Sequence, residues 1–519
     1  MQALLTCLKV FVIGVVLVLG FQLLVRPQMV YHKYQRLSRA RPPGDLVLSG
    51  RPLPLIGDLL WFRRELLQRR GAAIADSGRI KMFFFGPHPS FMILDPDLAQ
   101  AVLTHQIGGD RDSLEQMILV RLLMEPMGPL ALGNLSAAAH RSRRALVSPT
   151  LRPNLQTQYA EMIRDFIQED GFLEGFTDKD INFDEFFHRV SFKTISRIVL
   201  GRNVPLEIYE AFNAMMKLAT QYAETPMVVS RTLSWLPLPV KYKLRKLRDR
   251  IRVFLDETIE ERRRGLPRDP INNELLTMTN ARIADPKQTP FIEAQLLYRD
   301  RHGNELSHDQ IRDELMQTMV GGKDAVTAAM TSLMAVLCEH PAVRAKCRAE
   351  VDSVLGGRRA LTLTDLERMP YLHATVLETL RLRPPAPGLG RNVAKDIEID
   401  GVPIPAGTIV FVGTALLSRH PAYWPDADAF QPERFLKADG SVCEMPEGSV
   451  KCAYLPFSGG VRECPGRYLA LTQIRVVIAA LLAQFEFEFR PGQTFEPSYE
   501  SLFPSPKNGV WGRLIPRRT

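Results

Sequence analysis

One ten-residue stretch limits what this chain can fold into more than any other: Phe457-Ser458-Gly459-Gly460-Val461-Arg462-Glu463-Cys464-Pro465-Gly466. It runs into an apolar helical pattern, Tyr468–Phe485. Cys464 is therefore expected just before a helix N-terminus, with Pro465 suited to the first helical position. Free backbone N–H groups and the helix dipole stabilise an anion there, which predicts a thiolate. A thiolate is a good axial ligand for haem iron and donates electron density that favours O–O cleavage. Glycines on both sides let a flat macrocycle approach the backbone. Arg462 is placed to pair with a haem propionate. The plainer reading of a lone cysteine, a small buried hydrophobe, suits Cys338 and Cys347 in helical sequence.

The other cysteines add nothing competing. Six in 519 residues are too few for a disulfide scaffold, and no C-x-x-C pair points to zinc or to thiol redox chemistry. A chain that is 45% hydrophobic is neither disordered nor fibrous. The net charge of +9 is mild for this length and gives no argument for nucleic acid.

The N-terminus departs from that average. Ala3–Val25 is nearly all apolar, with Lys9 the single charge, and its 23 residues can cross a bilayer core of about 30 Å. Arg26, Lys33, Arg36, Arg39 and Arg41 follow. That one-sided basic flank predicts a single-pass anchor at 3–25 with the body in the cytosol. Residues 26–57, with Arg41-Pro42-Pro43-Gly44 and Arg51-Pro52-Leu53-Pro54, read as a basic, Pro-rich linker. The remainder, 58–519, reads as one domain, mainly α with a minor β region. Strands are expected at Ile80–Phe85, Phe91–Leu94, Ile397–Ile399 and Ile409–Val412, with a last hairpin turning at Asn508-Gly509. Helical periodicity dominates from about Pro96 to His373.

With these residues in view, the chain resembles the cytochrome P450 family. The family's F-x-x-G-x-R-x-C-x-G is matched from Phe457 to Gly466. Its E-x-x-R is matched by Glu378-Thr379-Leu380-Arg381, and its P-E-R-F by Pro432-Glu433-Arg434-Phe435. Pro42-Pro43-Gly44 after an anchor is similar to the start of microsomal members. The resemblance implies a cytochrome P450 fold behind a transmembrane helix and a haem b cofactor. It makes Cys464 the iron ligand and has Phe457 and Gly466 frame it. It also implies a buried structural triad of Glu378, Arg381 and Arg434. Residues i and i+3 share a helix face, so Glu378 and Arg381 can pair.

The family's oxygen-side helix carries A/G-G-x-D/E-T-T. Here the matching run is Gly321-Gly322-Lys323-Asp324-Ala325-Val326-Thr327. At 100° per residue, Gly321, Gly322 and Ala325 fall within about 60° of one face and leave room for a diatomic and a substrate carbon. Ala325 stands where most monooxygenases of the family have Thr, the hydroxyl to which the resemblance assigns proton delivery. Thr327 lies about 200° further round and cannot replace it. Asp324 remains as the proton relay. Two mechanisms follow. Either ordered water or a substrate hydroxyl substitutes and oxygen is inserted, or an oxygenated substrate is isomerised or dehydrated without reductive O2 activation.

The resemblance further implies propionate contacts from Arg144, His140 (where Trp is usual) and Arg391, with Gly388 and Leu389 bordering the substrate pocket. The pocket segments are rich in Leu, Met, Val and Phe, which points to a lipophilic substrate. Only 55 residues follow Cys464 (519 less 464), too few for a second nucleotide-binding half. Electrons are therefore expected from a separate protein, which the resemblance implies to be the membrane-bound NADPH-cytochrome P450 reductase of the endoplasmic reticulum. A rival of another class is a non-catalytic haem-binding sensor built on the same cysteine.

Overall fold

The computed structural model describes residues 20–49, 52, 78–85, 88–104, 114–116, 128–135, 137–147, 151, 156–167, 174–177, 179–223, 238–266, 291–298, 303–358, 361–445, 452–498 and 503–517. A π-helical turn, Phe21–Val25, leads into α1 (Arg26–Arg39). Next come β1 (Leu46–Leu48), β2 (Ile80–Phe85), β3 (His88–Ile93), α2 (Pro96–Leu103) and β4 (Leu114–Gln116). A helical body follows: α3 (Ala137–Val147), α4 (Gln156–Ile167), the short β5 (Ile181–Asn182), α5 (Phe183–Leu200), α6 (Leu206–Ala223), α7 (Pro239–Gly265) and α8 (Phe291–Leu296). It continues with α9 (His308–Glu339), α10 (Pro341–Leu355), α11 (Leu363–Glu367) and α12 (Pro370–Leu382). The chain ends through β6 (Leu389–Val393), β7 (Ile397–Ile399), β8 (Val402–Ile404), β9 (Ile409–Val412), α13 (Thr414–Leu417), α14 (Arg467–Gln484), β10 (Phe485–Phe489) and β11 (Trp511–Pro516).

Local signals set these limits. Helix α9 starts at a capping box, in which Ser307 accepts from Gln310 N and the Gln310 side chain accepts from Ser307 N. It ends at His340, and Pro341 opens α10. Helix α5 is capped by Asn182 and stops at Gly201, which is left-handed. The helices pack around a core containing Phe183, Phe186, Phe187, Met316, Met330 and Leu481. A second cluster, with Tyr34, Phe84, Phe91 and Val410, lies against the six-stranded sheet, ordered β1-β2-β3-β9-β6-β4. Its register sets Arg391 on β6 opposite Val410 of β9 and Gln116 of β4.

The structure departs from expectation in two places. Within the expected linker 26–57, Arg26–Arg39 is a helix: Pro27 sits in its first turn, where a missing N–H costs nothing. Its Tyr34 is buried and donates to the Pro403 carbonyl, so this stretch packs onto the sheet. At the C-terminus, β11 pairs with β10 across the whole excursion 490–510, and Asn508-Gly509 is the bend that enters β11. An isolated antiparallel bridge lies earlier, between Pro497 and Pro506. Most of the expected anchor at 3–25 lies outside the described residues. Among those described, α14 is long and apolar enough to cross a membrane, but it is mostly buried inside the protein as a core helix.

Candidate active site

The loop before α14 is folded tightly on itself. Cys464 N donates to Phe457 O (2.9 Å), Glu463 N to Gly460 O (3.1 Å) and Ser458 N to Leu455 O (3.1 Å). Gly460 has φ +67, and a Cβ there would lie 2.2 Å from the Leu103 carbonyl oxygen, so only glycine fits. The helix begins at Arg467 with Gly466 as N-cap, which puts Pro465 just outside it instead of at its first position. The Cys464 side chain has free surface, yet protein surrounds it, so it faces an interior space and not bulk water. Burial pushes its thiol up, against the downward pull of the Gly466 N–H and Arg144. The expected helix-end stabilisation is present in sign but loses to desolvation. A coordinating metal ion is what removes such a proton outright.

Four basic side chains gather near this loop. Arg144 on α3 donates to the Glu463 carbonyl, and Arg462 to the Leu135 carbonyl (2.8 Å). Arg391 is buried with one bond, Nη1 to the Gly390 carbonyl (3.0 Å), while its Nε and Nη2 have no partner. Burial and the nearby Arg462 bring its pKa down to about 10. His140 is buried, and desolvation, followed by Arg462, Arg144 and Arg391, depresses it to about 3. A buried cation with orphaned donors, as Arg391 is, is unfavourable unless an anion completes it.

Helix α9 has one bare face. A Cβ on Gly321 would meet nothing within 4 Å, and Ala325, one turn on, is half-buried. Gly322 belongs elsewhere: a Cβ there would lie 2.4 Å from Ile195 Cδ1, so it serves close packing of α9 on α5. Thr327 donates to Lys323 O (2.9 Å) and points toward Phe187 O (3.4 Å), also against α5. Asp324 turns the same way. Its Oδ1 is 2.7 Å from Lys323 Nζ and 3.7 Å from His188 Nδ1, while its Oδ2 is buried without a partner. Lys323 also bonds Asn213 on α6. The motif's spacing could not reveal this second layer, because His188 and Asn213 lie on other helices. Gly388 and Leu389 are half-buried at the start of β6.

Glu378, Arg381 and Arg434 are brought together. Arg381 grips Glu378 by two bonds of 2.7 Å, both side chains fully buried, and Arg434 Nε lies 3.5 Å from Glu378 Oε1. The carbonyls of Ser418, Ala427 and Ala429 take the other Arg381 donors, and Gln431 N donates to Glu378.

A thiol enclosed by protein, beside one buried arginine with orphaned donors and two further arginines, is the donor set for a thiolate-ligated haem: one soft iron ligand and cations for two carboxylates. Arg391's orphaned donors are the observation that makes the fit, and the site defines a haem-thiolate protein. The cytochrome P450 family model matches residues 48–511, and the chain belongs to that family. It is 27% identical over 492 residues to cytochrome P450 4V2 of Mus musculus, covering 89% of this chain and 88% of that one. It is 33% identical over 266 residues to cytochrome P450 4F12 of Homo sapiens, covering 51% and 48%. Retinoic acid bound cyanobacterial CYP120A1 shares the fold, with TM-score 0.72 at 23% identity, covering 92% of this chain and 99% of that one. The protein is thus an oxidoreductase of the monooxygenase type, carrying haem-thiolate iron and using O2, a redox partner and a small-molecule substrate.

Proposed function

We propose that this enzyme inserts one oxygen atom from O2 into a lipophilic small molecule, fed by NADPH-cytochrome P450 reductase. In this reading the body is cytosolic and a single N-terminal helix holds it on the endoplasmic reticulum membrane. Cys464 would ligate the iron, and Arg144, Arg391 and Arg462, with His140 beside them, would hold the propionates. Haem, when bound, supplies the O2-activating and electron-accepting chemistry. The chain's own part is to hold, exclude and deliver. Gly321 and Ala325 leave an apolar face free for the substrate. Asp324 is the proton carrier, kept behind that face by Lys323 and His188.

The observation that carries the reading is the bare Gly321–Ala325 face on an otherwise buried helix. With Ala325 and a committed Thr327, this stretch offers no hydroxyl there, so water or a substrate hydroxyl completes proton delivery. The test is turnover with reductase, NADPH and isotopic O2. Label in the product supports insertion. Turnover of a hydroperoxide without reductase, with both peroxide oxygens kept in one isomerised product, would instead support rearrangement, the alternative that the missing hydroxyl at Ala325 raises.

A further inference from the structure

Residues 128–135 form a loop whose backbone is bonded to side chains of α9. Leu130 N donates to Asp313 Oδ2 (3.2 Å), Leu132 N to Glu314 Oε2 (2.9 Å) and Gly133 N to Gln317 Oε1 (2.7 Å). Positions i, i+1 and i+4 fall within 100° of one another on α9, so the three acceptors form one edge. Asn134 Nδ2 donates to Gly128 O (2.7 Å) and closes the loop on itself.

The loop's glycines are explained by these acceptors. Gly128 has φ +125, and a Cβ there would lie 2.1 Å from Asp313 Cγ. A Cβ on Gly133 would lie 2.0 Å from Gln317 Nε2. Asp313 and Glu314 are both 1% exposed, an unfavourable place for two adjacent acids. An ordinary surface loop would satisfy its N–H groups with water and need neither the acids nor the glycines.

The far end of the loop explains the arrangement. The Leu135 carbonyl accepts from Arg462, and α3, which begins at Ala137, carries His140 and Arg144. One turn beyond Gln317, α9 presents Gly321 and then Ala325. The loop therefore joins the substrate-side helix to the cationic group beside the cysteine.

We propose that Asp313, Glu314 and Gln317 are positioning residues that clamp loop 128–135 to α9 and so hold Arg462, Arg144 and His140 where they retain the haem. This rests on the haem-thiolate reading of the site. The test is the rate of haem transfer from holoprotein to excess apomyoglobin, measured beside thermal unfolding and the reduced, CO-bound spectrum. Gly133→Ala puts a methyl where the Gln317 amide lies, and Gln317→Ala removes the acceptor. Each should speed haem transfer roughly tenfold, the effect of losing about one buried hydrogen bond. The double variant should be no faster than Gln317→Ala, because both changes break one contact. Transfer at the parent rate with only a lower melting temperature would make the clamp a plain structural brace and overturn the proposal. If Gly133→Ala does not fold, Gln317→Ala is compared with Gln317→Glu, which keeps the acceptor. Faster transfer for Ala alone supports the clamp, and equal rates overturn it. Failure of the haem reading is separate, since the parent protein would then lack the thiolate-haem spectrum.

Discussion

Two arginines on opposite terms with their surroundings separate the frame of this protein from its working site. Arg381 and Arg391 are both buried. Arg381 has acceptors for all five of its N–H donors: two oxygens of Glu378 and three carbonyls. Arg391 spends one donor on the Gly390 carbonyl and leaves Nε and Nη2 empty-handed. A charge whose hydrogen bonds are complete is part of the fold. A charge buried at a cost and left incomplete is held ready for something that comes from outside. Without that contrast, the two would look alike as buried cations in a P450 domain.

The largest effect expected from breaking the comparison is at Arg381. Arg381→Ala leaves the buried Glu378 with only Arg434 and the Gln431 N–H, strips three buried carbonyls of their donors, and should cost about 3–5 kcal/mol. Against a typical stability of about 5–15 kcal/mol, little folded protein should remain. Expression yield and circular dichroism decide this, and a folded variant with parent-like melting would undo the assignment. Arg391→Met should act the other way round. Removing an unpaired charge leaves the fold intact by circular dichroism, while haem transfer to apomyoglobin speeds up about 10–100-fold. That is the worth of one charge-assisted contact of about 1.5–3 kcal/mol. If Arg391→Met unfolds the protein as Arg381→Ala does, the two arginines are not different in kind.

What could be read from the sequence divides along the same line. Cys464, Glu378 and Arg381 were visible because their chemistry sits in short spacings: a loop that must reverse before a helix, or two side chains one helical turn apart. The strands β2, β7 and β9 were visible as alternating or β-branched runs. Whatever depends on distant packing was hidden. Gly322 looks like Gly321 in the sequence, and only the approach of Ile195 from α5 separates them. The thiol of Cys464 was expected to be lowered by a helix end, but its depth in the protein decides the direction. Gly128 and Gly133 carry no local signal, because the side chains that require them are more than 180 residues away in sequence. Arg26–Arg39 was hidden by its basic, Pro-containing composition, although Pro27 is harmless in a first turn.

The smallest expected effect concerns a buried acid that belongs to neither group. Glu314 accepts from Leu132 N, and burial lifts its pKa from 4.5 to about 7; the Leu132 N–H and Arg143 oppose this, while Asp313 adds to it. Around it, Arg143 from α3 is itself buried with Nη1 unpartnered, and Asp313 is faced by Arg252 and Arg312. An acid with its folded pKa raised binds its proton more tightly in the native state than in the unfolded chain. The native state therefore holds more protons between pH 4.5 and about 7, and stability from this group falls as pH rises through that window. The full contribution is present below 4.5 and is gone above about 7. Glu314→Gln keeps a carbonyl oxygen for Leu132 N and cannot ionise. It should flatten the melting temperature against pH between about 5 and 8, raising it by a few degrees at pH 8 and hardly at pH 5. A slope identical to the parent's would mean that Glu314 stays ionised throughout. Arg143, the cation that opposes the shift, would then be its partner, and α3 would owe its position to an ion pair and not to the loop.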